Sequence, residues 1–544
     1  MLRPGDYFIS IDLRDAYLML LIHPDFWKFL CFDWEGKRFF YRCMPFGMTS
    51  SPRIFTKVFK RVLVFLRGRG LRISAWFDDI ILIASSVDLL LEHMHFTLLT
   101  LKSLGFLPHP EKSMLTPSQF IFHLGFDWDT VNFTLSVPLA KVTALKSLCS
   151  CARSRSVTLR FLSQILGTVE SFRVAFPYAA LRYRGLQGDV ACFVRDNVPW
   201  DEVVPVSASA NADLDWWIAC PLSLPARSLA PFVPFLTVTT DSSESGWGAV
   251  SSSGEEVSGF WSEDEAFFHI NVLETKAVVF AFQSLFRSVS GVDILIRSDS
   301  TTTVSYINNF GGARSPVITD VIFQFYELCL VQNLRVRATH VCGRLNTRAD
   351  ALSRRPREHS YSLPSSLFSL LCDHFSILPY VDLFASRINN KLPVYFSEGP
   401  DPFASEFDAF IRPWPDSVYA FPPINMVDKF LSRFLLLNVN YGLLVCPYWP
   451  SQPYFSALLD LLIDDPVLIS ASMVVDAYLL PHSVSNFLVC VISSSSVLRK
   501  EFLQRLQPVS CEASTLGPSV LTYEAGSSLS IGVLHGRLIS AHCL

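Results

Sequence analysis

The sequence has 544 residues, of which 50% are hydrophobic and 17% are charged, and its formal net charge is −4. A chain of this length forms several domains rather than one core, and its apolar content excludes a wholly disordered protein. The small net charge excludes a chain that attracts nucleic acid as a whole, so any such binding depends on local basic patches.

The first predicted elements place aspartates next to apolar strands. FISI predicts a strand that ends before Asp12, and ISAWF and IILIA predict two strands joined at Asp78 and Asp79. Buried carboxylates are costly unless metal ions neutralise them. The three aspartates therefore predict a site inside a core for two Mg²⁺ or Mn²⁺ ions, of the kind that catalyses phosphoryl transfer. From the residues alone, Asp78 and Asp79 could instead cap a β-turn.

Five motifs follow one another in the first quarter of the chain: SIDLRDAY, MPFGMTSSPRIF, WFDD, LGF with PEKS, and HLGF. Their order resembles the palm of reverse transcriptases. The resemblance implies that Asp12, Asp78 and Asp79 are the metal ligands of a polymerase. Its expected partners are an RNA template, a DNA primer and deoxynucleoside triphosphates.

The same resemblance implies roles for residues near the metal site. Tyr17 matches the aromatic gate beneath the incoming sugar, where a ring would clash with a 2′-hydroxyl and so favour deoxynucleotides. Phe46 and Gly47 match the PFG turn that contacts the nucleotide and the template, and Lys112 matches the lysine near the triphosphate. From the residues alone, Tyr17 and Phe46 could be ordinary core aromatics.

A basic stretch without acidic residues lies between the PFG and WFDD motifs. On a helix, Lys57 and Arg61 would share a face that could follow a phosphate backbone. A solvated basic face is the alternative. The cations of the stretch are Arg53, Lys57, Lys60, Arg61, Arg67, Arg69 and Arg72.

Two features depart from the family. The first metal aspartate is residue 12, whereas the family has a substantial fingers region before this motif, so we expect an N-terminally incomplete polymerase. Trp76 in WFDD stands where tyrosine, phenylalanine or another residue is usual, but a large ring can still pack there.

A second set of acids lies on alternating strands and helices. TVTTDSSESGWGAV predicts two strands with Asp241 on the first, HINVLETKAVVFAFQSL a helix with Glu274, DILIRSDS a strand ending near Asp299, and LNTRADALSR a helix with Asp350. Four acids at the ends of apolar elements suit a nuclease that holds two metal ions across a scissile phosphate. His340, on the strand-like RVRATHV, could assist product release or proton transfer, and an ordinary strand-end histidine is the alternative.

The order of these elements, and above all the block THVCGRLNTRADALSR, resembles the ribonuclease H of retrotransposons. The resemblance implies that Asp241, Glu274, Asp299 and Asp350 hold two Mg²⁺ or Mn²⁺ ions and that the substrate is the RNA strand of an RNA–DNA hybrid. Cys342 stands where the family often has proline, a change that removes no catalytic group.

The region 377–500 contains YVDLFASRINNKLPVYFS, EFDAF, YAFPPI and LLVCPYWPSQPYF. It resembles the extra domain that follows ribonuclease H in DIRS and Ngaro-type retrotransposons, which is itself similar to phage adenine-N6 methyltransferases. In those enzymes an Asn/Asp-Pro-Pro-aromatic loop binds the target base. Here Phe421-Pro422-Pro423-Ile424 lacks the polar side chain and the stacking ring. We therefore expect a nucleic-acid-facing or structural relic without methyl transfer. Asp382 could contact a cofactor, but the favoured interpretation is a polar strand-end residue.

These observations predict a multidomain α/β protein with the α+β palm of a right-hand polymerase, a ribonuclease H fold and a methyltransferase-like α/β domain. The expected domains are a palm with partial fingers (1–130), a thumb and connection (131–235), ribonuclease H (236–356), a linker (357–376), an inactive methyltransferase-like domain (377–500) and an unassigned tail (501–544).

The leading function is RNA-directed DNA synthesis with cleavage of RNA–DNA hybrids, as part of a retrotransposon polyprotein. Two rivals remain open. One is a decayed or domesticated nucleic-acid-binding protein that retains at most ribonuclease H activity, and the other is a ribonuclease H carried by an inert palm. The missing fingers favour the rivals, whereas the intact acidic sets oppose them.

Cysteines and apolar stretches limit the expected location. The 13 cysteines include no CxxC pair, which predicts neither a zinc knuckle nor a disulfide framework and suits a reducing compartment. The start MLRPGDYF lacks the segments of a signal peptide, and prolines interrupt the longest uncharged stretch, 434–459. We expect an intracellular protein, cytoplasmic and/or nuclear, that is not secreted and has no membrane span.

Overall fold

A computed structural model describes residues 2–312, 314–356, 361–481, 483–506 and 528–544. The chain separates into two units, Met1–Phe232 with Gly312–Arg314 and Val233–Gly311 with Ser315–Leu544. Both units combine helices and sheets, so the protein has the mixed α/β multidomain class that the sequence predicts. Among the described residues, none of the helices combines the length and the apolar character that a bilayer crossing requires.

The N-terminal unit begins with an antiparallel sheet packed on two helices. Its elements are β1 (Tyr7–Arg14), β2 (Cys31–Trp34), β3 (Lys37–Phe40), α1 (Ser51–Gly68), β4 (Arg72–Trp76), β5 (Asp79–Ala84), α2 (Val87–Ser103), β6 (Leu107–Pro108) and β7 (Met114–Ser118). The strand order is β4-β5-β1-β6, β7 also pairs with β1, and β2-β3 form a separate hairpin. The strands expected on either side of WFDD are therefore present as β4 and β5.

Alternation along β1 separates its aspartate from the core. Ile9, Ile11 and Leu13 are buried in a cluster that the sheet forms with α1 and α2. Helix α1 contributes to the same cluster from residues three or four positions apart, such as Phe55. Because neighbouring strand residues point to opposite faces, Asp12 lies on the face away from these helices.

A helical segment follows in the same unit. Its elements are β8 (Phe120–His123), β9 (Phe126–Asp129), β10 (Thr134–Ser136), α3 (Leu139–Ser154), β11 (Val157–Thr158), α4 (Leu159–Phe172), α5 (Arg184–Arg195), β12 (Val203–Val204), α6 (Ala208–Ala219) and β13 (Arg227–Ser228). The strands form a sheet in the order β13-β10-β9-β8 and a short pair, β11-β12. Trp217 of α6 is buried against Phe172 of α4, which fixes the helices to one another.

The C-terminal unit begins with a mixed sheet. Its elements are β14 (Leu236–Ser242), β15 (Gly246–Ser251), β16 (Glu256–Phe260), α7 (Glu263–Ala266), α8 (Ile270–Leu285), β17 (Asp293–Ser298), α9 (Thr301–Asn308), α10 (Pro316–Val331), β18 (Arg335–His340) and α11 (Thr347–Ser353). The order is β16-β15-β14-β17-β18, with β14, β17 and β18 parallel. The carboxyl ends of parallel strands lie at one edge, so Asp241, Asp299 and His340 are brought to the same side of the sheet.

A second sheet of the C-terminal unit is covered on both faces. Its elements are α12 (Ser365–Phe375), β19 (Val381–Asp382), β20 (Phe396–Ser397), β21 (Glu406–Phe407), β22 (Ser417–Ala420), α13 (Val427–Leu436), β23 (Tyr441–Pro447), α14 (Tyr454–Leu459), β24 (Val467–Ser470), β25 (Asn486–Ile492), α15 (Ser496–Arg505), β26 (Ser528–Leu534) and β27 (Arg537–Cys543). The order is β19-β22-β23-β25-β24-β27-β26. Val418 packs in the core with α13, α14 and α15, and Tyr419 packs in the core with α12.

Two stretches that the sequence left without structure contribute to this second sheet. The described part of the predicted linker contains α12. Phe368 and Leu371 are three residues apart, so they lie on one face of this helix, and that face is buried in the core. In the unassigned tail, β26 and β27 pair with each other, and β27 pairs with β24. Residues 507–527 of the tail lie outside the described residues.

Candidate active sites

Two aspartates of the N-terminal unit lie opposite each other on neighbouring strands. In the antiparallel register of β1 and β5, Asp12 pairs with Asp79, so their side chains share a face with Cβ atoms roughly 4.5–5.5 Å apart. Both are half-buried, whereas Asp78 is exposed. Asp78 and Asp79 therefore lie at the strand ends where the sequence predicts them, whereas the expectation that Asp12 projects from a strand end, and that the site lies inside a core, is wrong. Asp12 lies within β1, and the three carboxylates form an open edge because α1 and α2 cover the other face.

The turn between β4 and β5 brings Asp78 to this edge. Its first residue, Phe77, has a left-handed backbone with a φ of 55°, which costs a non-glycine residue about 1–2 kcal/mol. The N–H of Leu13 donates to the carbonyl oxygen of Asp78 at 3.0 Å and ties the turn to β1. Backbone strain of this kind is concentrated at functional sites.

The loop between β6 and β7 holds Lys112 near the aspartates. The N–H of His109 donates to the carbonyl oxygen of Asp12 at 2.7 Å, and the N–H of Asp12 donates to Oγ of Ser113 at 3.0 Å. Lys112 lies between these two anchors in sequence, and its positive charge acts on Asp79. The loop therefore holds the expected triphosphate lysine where its charge acts on Asp79, one of the expected metal ligands.

The neighbouring acids contribute to a raised pKa at Asp79. Burial raises the pKa of Asp79, and the charges of Asp78 and Asp12 add to the rise, while His123 and Lys112 act against it. A divalent cation bound between these carboxylates would relieve the repulsion.

Three acids of the C-terminal unit meet at the carboxyl edge of β14 and β17. One carboxylate oxygen from each of Asp241, Glu274 and Asp299 lies within 4.8 Å of the other two. Asp241 lies near the end of β14, Asp299 follows β17, and Glu274 lies on α8. Asp241 is 4% exposed and Glu274 is 7% exposed. These three of the four acids predicted from sequence form a group that we call the acidic triad.

The acidic triad has the electrostatics of a cation site. Burial raises the pKa of Glu274 to about 9, with further contributions from Asp241 and Asp299. Burial also raises the pKa of Asp241 to about 6, and Asp299 and Asp350 add to the rise. Within the described structure, Oε2 of Glu274 is buried without a hydrogen-bond partner. An unpaired oxygen among three carboxylates fits a divalent ion with oxygen ligands.

The fourth acid and the histidine lie at the rim of the acidic triad. Nε of Arg354, the residue directly after α11, donates to Oδ1 of Asp350 at 2.8 Å. The charge of Asp350 nevertheless acts on Asp241. His340 ends β18 opposite Ser298, the residue before Asp299, and its side chain is exposed.

Two polar side chains that sequence reasoning missed hold Asp241 in place. Nδ2 of Asn346 donates to its Oδ1 at 2.9 Å, and Oγ of Ser353 donates to its Oδ2 at 2.7 Å. Together with Asp350 they follow a spacing of four and three residues, which places them on one side of a helical turn. That spacing within LNTRADALSR was a signal that could have identified them.

Close packing of α11 on β15 brings these partners to Asp241. A Cβ at Gly248 would lie 2.5 Å from Cβ of Leu352 and 2.6 Å from the carbonyl oxygen of Ala349. Glycine is therefore required at this position for α11 to approach the sheet.

A family comparison covers the first of the two acidic centres. Residues 2–128 match the model of the family described as reverse transcriptase (RNA-dependent DNA polymerase). This segment is a reverse transcriptase domain. The match confirms the family predicted from the order of the five motifs.

Curated relatives share parts of this chain. An uncharacterized protein, K02A2.6, of Caenorhabditis elegans is 30% identical over 122 residues, which are 22% of this chain and 9% of that protein. The Pro-Pol polyprotein of feline foamy virus is 26% identical over 200 residues, which are 36% of this chain and 16% of that polyprotein. The chain therefore spans a small part of the length of these relatives.

Solved structures of a foamy viral protease-reverse transcriptase are also similar to parts of the chain. A dRH form in complex with double-stranded DNA has 17% identity and a TM-score of 0.37, and covers 63% of this chain and 58% of its own. A complex with an RNA/DNA hybrid has 16% identity and a TM-score of 0.37, and covers 66% of this chain and 46% of its own.

In the reverse transcriptase domain, Tyr17 and Phe46 lie together near the aspartates. Their ring centroids are 5.3 Å apart, and Tyr17 also contacts the core residue Phe55 at 5.5 Å. Burial and then the charge of Asp78 raise the pKa of Tyr17. Phe46 is 62% exposed, which excludes an ordinary core aromatic at this position, and Gly47 turns the chain after it with a φ of 87°.

In the reverse transcriptase domain, six of the seven cations of the predicted basic stretch fall into two groups, and the seventh, Arg69, lies over the rings of Phe65 and Phe96. Arg72 forms an ion pair with the buried Asp6 at 2.6 Å, and Nε of Arg67 donates to the carbonyl oxygen of Ile73 at 2.9 Å. These two cations support the fold. The exposed face of α1 carries Arg53, Lys57, Lys60 and Arg61.

Proposed function

We propose that this chain is an RNA-directed DNA polymerase that also cleaves the RNA strand of RNA–DNA hybrids, as part of a retrotransposon polyprotein. One observation carries the proposal: two acidic centres occur in different units, one of them within a reverse transcriptase domain. At either centre, two bound Mg²⁺ or Mn²⁺ ions would supply activation of the attacking oxygen and neutralisation of the leaving group.

In the proposed polymerase centre, Asp12, Asp78 and Asp79 hold the ions. Lys112 lies on the loop anchored to Asp12 and neutralises the phosphates of the incoming nucleotide. The exposed basic face of α1 contacts the phosphate backbone of the template and primer, which any sequence of nucleic acid offers. The expected substrates are deoxynucleoside triphosphates.

The proposed role of Tyr17 is to exclude ribonucleotides. Its ring is held between Phe55 and Phe46, beside Asp78. We expect Tyr17→Ala to incorporate ribonucleotides more readily than the wild type, because the smaller side chain leaves room for a 2′-hydroxyl. Primer extension with each nucleotide type measures the ratio of incorporation, and Phe26→Ala, at an exposed ring, is the control. An unchanged ratio in Tyr17→Ala would return this residue to the core-aromatic interpretation.

In the proposed ribonuclease centre, the acidic triad holds the ions, and Asp350 completes the ligand set at the rim. Asn346 and Ser353 fix the orientation of Asp241, so that its oxygens are in place before an ion binds. The proposed role of His340 is to move a proton during product release, and its exposure at the end of β18 supports this role. The 2′-hydroxyls of the cut strand distinguish RNA from DNA.

The proposed domain borders are those predicted from the sequence: palm with partial fingers 1–130, thumb and connection 131–235, ribonuclease H 236–356, and a DIRS or Ngaro-type methyltransferase-like domain 377–500. Helix α12 before residue 377 and strands β26 and β27 after residue 500 belong to the same sheet and core, so they extend this last domain. Helices α3 to α6 between the first sheet and β14 support a thumb and connection. A mixed parallel and antiparallel sheet covered by helices on both faces supports an α/β domain after residue 377.

We infer that the methyltransferase-like domain does not transfer methyl groups. Phe421 is buried, with its ring centroid 5.1 Å from that of Tyr361 and 5.2 Å from that of Phe487, so the loop offers neither a polar acceptor nor a free stacking ring. Both carboxylate oxygens of Asp382 accept backbone N–H groups of the loop that follows. This aspartate therefore closes a loop.

The full chain is expected to leave DNA unmethylated in the presence of S-adenosylmethionine, because Phe421 cannot accept a hydrogen bond from an adenine amino group. Incorporation of a labelled methyl group into adenine-containing DNA is the measurement, with an active adenine methyltransferase as the positive control. Incorporation above the level of heat-denatured protein would contradict the inference.

The proposed function as a whole is tested on the full chain with Mg²⁺ and with Mn²⁺. We expect extension of a DNA primer on an RNA template and cleavage of the RNA strand of a labelled hybrid. Nucleic-acid binding without either reaction would support the decayed or domesticated protein instead. Cleavage without extension would support a ribonuclease H with an inert palm.

A further inference from the structure

A buried ion network joins the second sheet of the C-terminal unit to the helix that carries Glu274. Glu265 of α7 is 8% exposed. Its Oε1 accepts from Nζ of Lys276 at 3.0 Å, and its Oε2 accepts from Nη2 of Arg387 at 2.5 Å. Lys276 lies on α8, two residues after Glu274, and Arg387 lies in the segment after β19. The network therefore links α8 to a part of the chain more than a hundred residues away.

Arg387 makes further contacts on the ribonuclease side. The same Nη2 donates to the carbonyl oxygen of Phe260, the last residue of β16, at 2.6 Å. Its guanidinium lies over the ring of Phe280 on α8, 4.8 Å from the centroid. Phe280 also contacts Phe403 at 5.7 Å. Arg387 therefore makes an ion pair, a hydrogen bond to a carbonyl oxygen and a contact with an aromatic ring, and its side chain is 13% exposed.

The segment between β19 and β21 also contacts the chain at the C-terminal end of α8. Nη1 of Arg287, just beyond the end of α8, donates to the carbonyl oxygen of Ala404 at 2.6 Å. Asp401 connects this contact to Arg387. Its Oδ2 accepts from the backbone N–H of Arg387 at 3.1 Å, and its Oδ1 accepts from the hydroxyl of Tyr395 at 2.7 Å. The segment therefore holds α8 at its middle and at its end.

The two cations offset the cost of burying the carboxylate of Glu265. Burial alone would raise the pKa of Glu265, but hydrogen bonds from Arg387, from the N–H of Ser262 and from Lys276 lower it below its ordinary value. Without Arg387, Glu265 would keep its ion pair with Lys276 on α8 but would lose its ion pair with the segment after β19. The buried carboxylate would then no longer join that segment to α8.

The helix held in this way carries Glu274 of the acidic triad. Within the described structure, the buried Oε2 of Glu274 has no hydrogen-bond partner, and one carboxylate oxygen from each of the three acids lies within 4.8 Å of the other two. Rotation or retreat of α8 would move Glu274 away from Asp241 and Asp299. A contact that resists such movement keeps the three oxygens close enough to share an ion.

We propose that Arg387 is a positioning residue for the ribonuclease centre: by pairing with Glu265 and covering Phe280, it fixes α8 so that Glu274 stays within the acidic triad. The proposal rests on the proposed ribonuclease function. It gives the methyltransferase-like domain a present role as the support of a neighbouring metal site, independent of methyl transfer.

The test measures Mn²⁺ binding to the full chain without nucleic acid. Every protein carries Asp79→Asn to weaken the polymerase centre, and binding lost on adding Asp299→Asn identifies the ribonuclease centre. We expect Arg387→Ala to weaken Mn²⁺ binding at that centre about tenfold, at the lower end of the effect of residues that orient ligands. Arg387→Lys keeps the positive charge but loses the planar guanidinium. Its Mn²⁺ affinity at this centre should lie between those of Arg387→Ala and the parent protein.

The matched control is Arg412→Ala. Arg412 also pairs with a glutamate, Glu406, at 3.1 Å and lies over a ring, Phe407, but in the second sheet's own segment. We expect parental Mn²⁺ binding in this variant. In hybrid cleavage, Arg387→Ala should raise the half-saturating Mn²⁺ concentration about tenfold. The cleavage rate at saturating Mn²⁺ should stay near that of the parent. Partial unfolding would instead lower the rate at every Mn²⁺ concentration.

The proposal is overturned if Arg387→Ala binds Mn²⁺ as tightly as Arg412→Ala, or if the parent shows no binding that depends on Asp299. If circular dichroism shows that Arg387→Ala is unfolded, Arg387→Lys decides, and parental affinity in that variant overturns the proposal. A parent that binds Mn²⁺ at this centre but cuts no hybrid contradicts the proposed function alone, since the binding comparison still tests Arg387.

Discussion

Asp299→Asn in the full chain is expected to abolish cleavage of the RNA strand of a hybrid and to leave primer extension intact. Asp299 follows β17 and contributes one of the three oxygens that lie within 4.8 Å of each other. Loss of a residue that only orients a ligand costs about 10–100-fold, so loss of a ligand charge should cost more than roughly 100-fold. Cleavage of a labelled hybrid is measured with Mg²⁺ and Mn²⁺.

The same variant is expected to be as stable as the wild type, or more stable, when metal is removed at neutral pH. Burial, Asp241 and Asp299 together raise the pKa of Glu274 from 4.5 to about 9. Between these values the folded protein binds more protons than the unfolded chain, so the free energy of unfolding falls as the pH rises. A pKa difference of one between the folded and unfolded states corresponds to about 1.4 kcal/mol, and Asp299→Asn removes one of the charges that cause the difference.

Thermal unfolding in EDTA at pH 5 and at pH 8 checks this sign. The Tm of the wild type should fall between the two pH values by more than that of Asp299→Asn. Asp320→Asn, at an exposed acid on α10, is the control and should behave as the wild type in stability and in cleavage. A folded Asp299→Asn that cuts as fast as the wild type would remove the ribonuclease centre from the proposal.

The elements that carry the acids could be predicted because their periods are visible in the sequence. The apolar runs before Asp241 and Asp299 are strands, and Glu274 lies on the predicted helix. Their partners could not be predicted in the same way. The sequence does not show whether a serine or an asparagine is exposed to solvent or makes a buried hydrogen bond. Asn346 and Ser353 reach Asp241 only because α11 packs closely on β15 at Gly248.

Long-range pairing explains the other omissions. The strands β26 and β27 extend a sheet whose edge is supplied by β24, far earlier in the chain, so no local pattern marks their place. Arg387 and Glu265 are separated by 122 residues. No motif around either residue indicates that the two form an ion pair. Burial of the Asp12 face was also overestimated, because a strand's alternation shows which residues share a face but not which face is covered.

Asp79→Asn is expected to abolish primer extension and to preserve hybrid cleavage. Asp79 lies opposite Asp12 in the β1–β5 register and beside the exposed Asp78, so the substitution removes one carboxylate charge from the proposed polymerase centre. The loss should exceed roughly 100-fold, as for other metal ligands. The acidic triad belongs to a different unit, so cleavage depends on other residues.

The fold should tolerate this change, because the amide is similar in size and Asp79 carries a raised pKa caused by burial and by repulsion from Asp78 and Asp12. Asp88→Asn is the matched control: Asp88 is exposed in the first turn of α2, which packs on the opposite face of the sheet. It should extend a primer at the wild-type rate. Loss of both extension and cleavage in a folded Asp79→Asn protein would contradict two independent centres, since a single shared site would then account for both reactions.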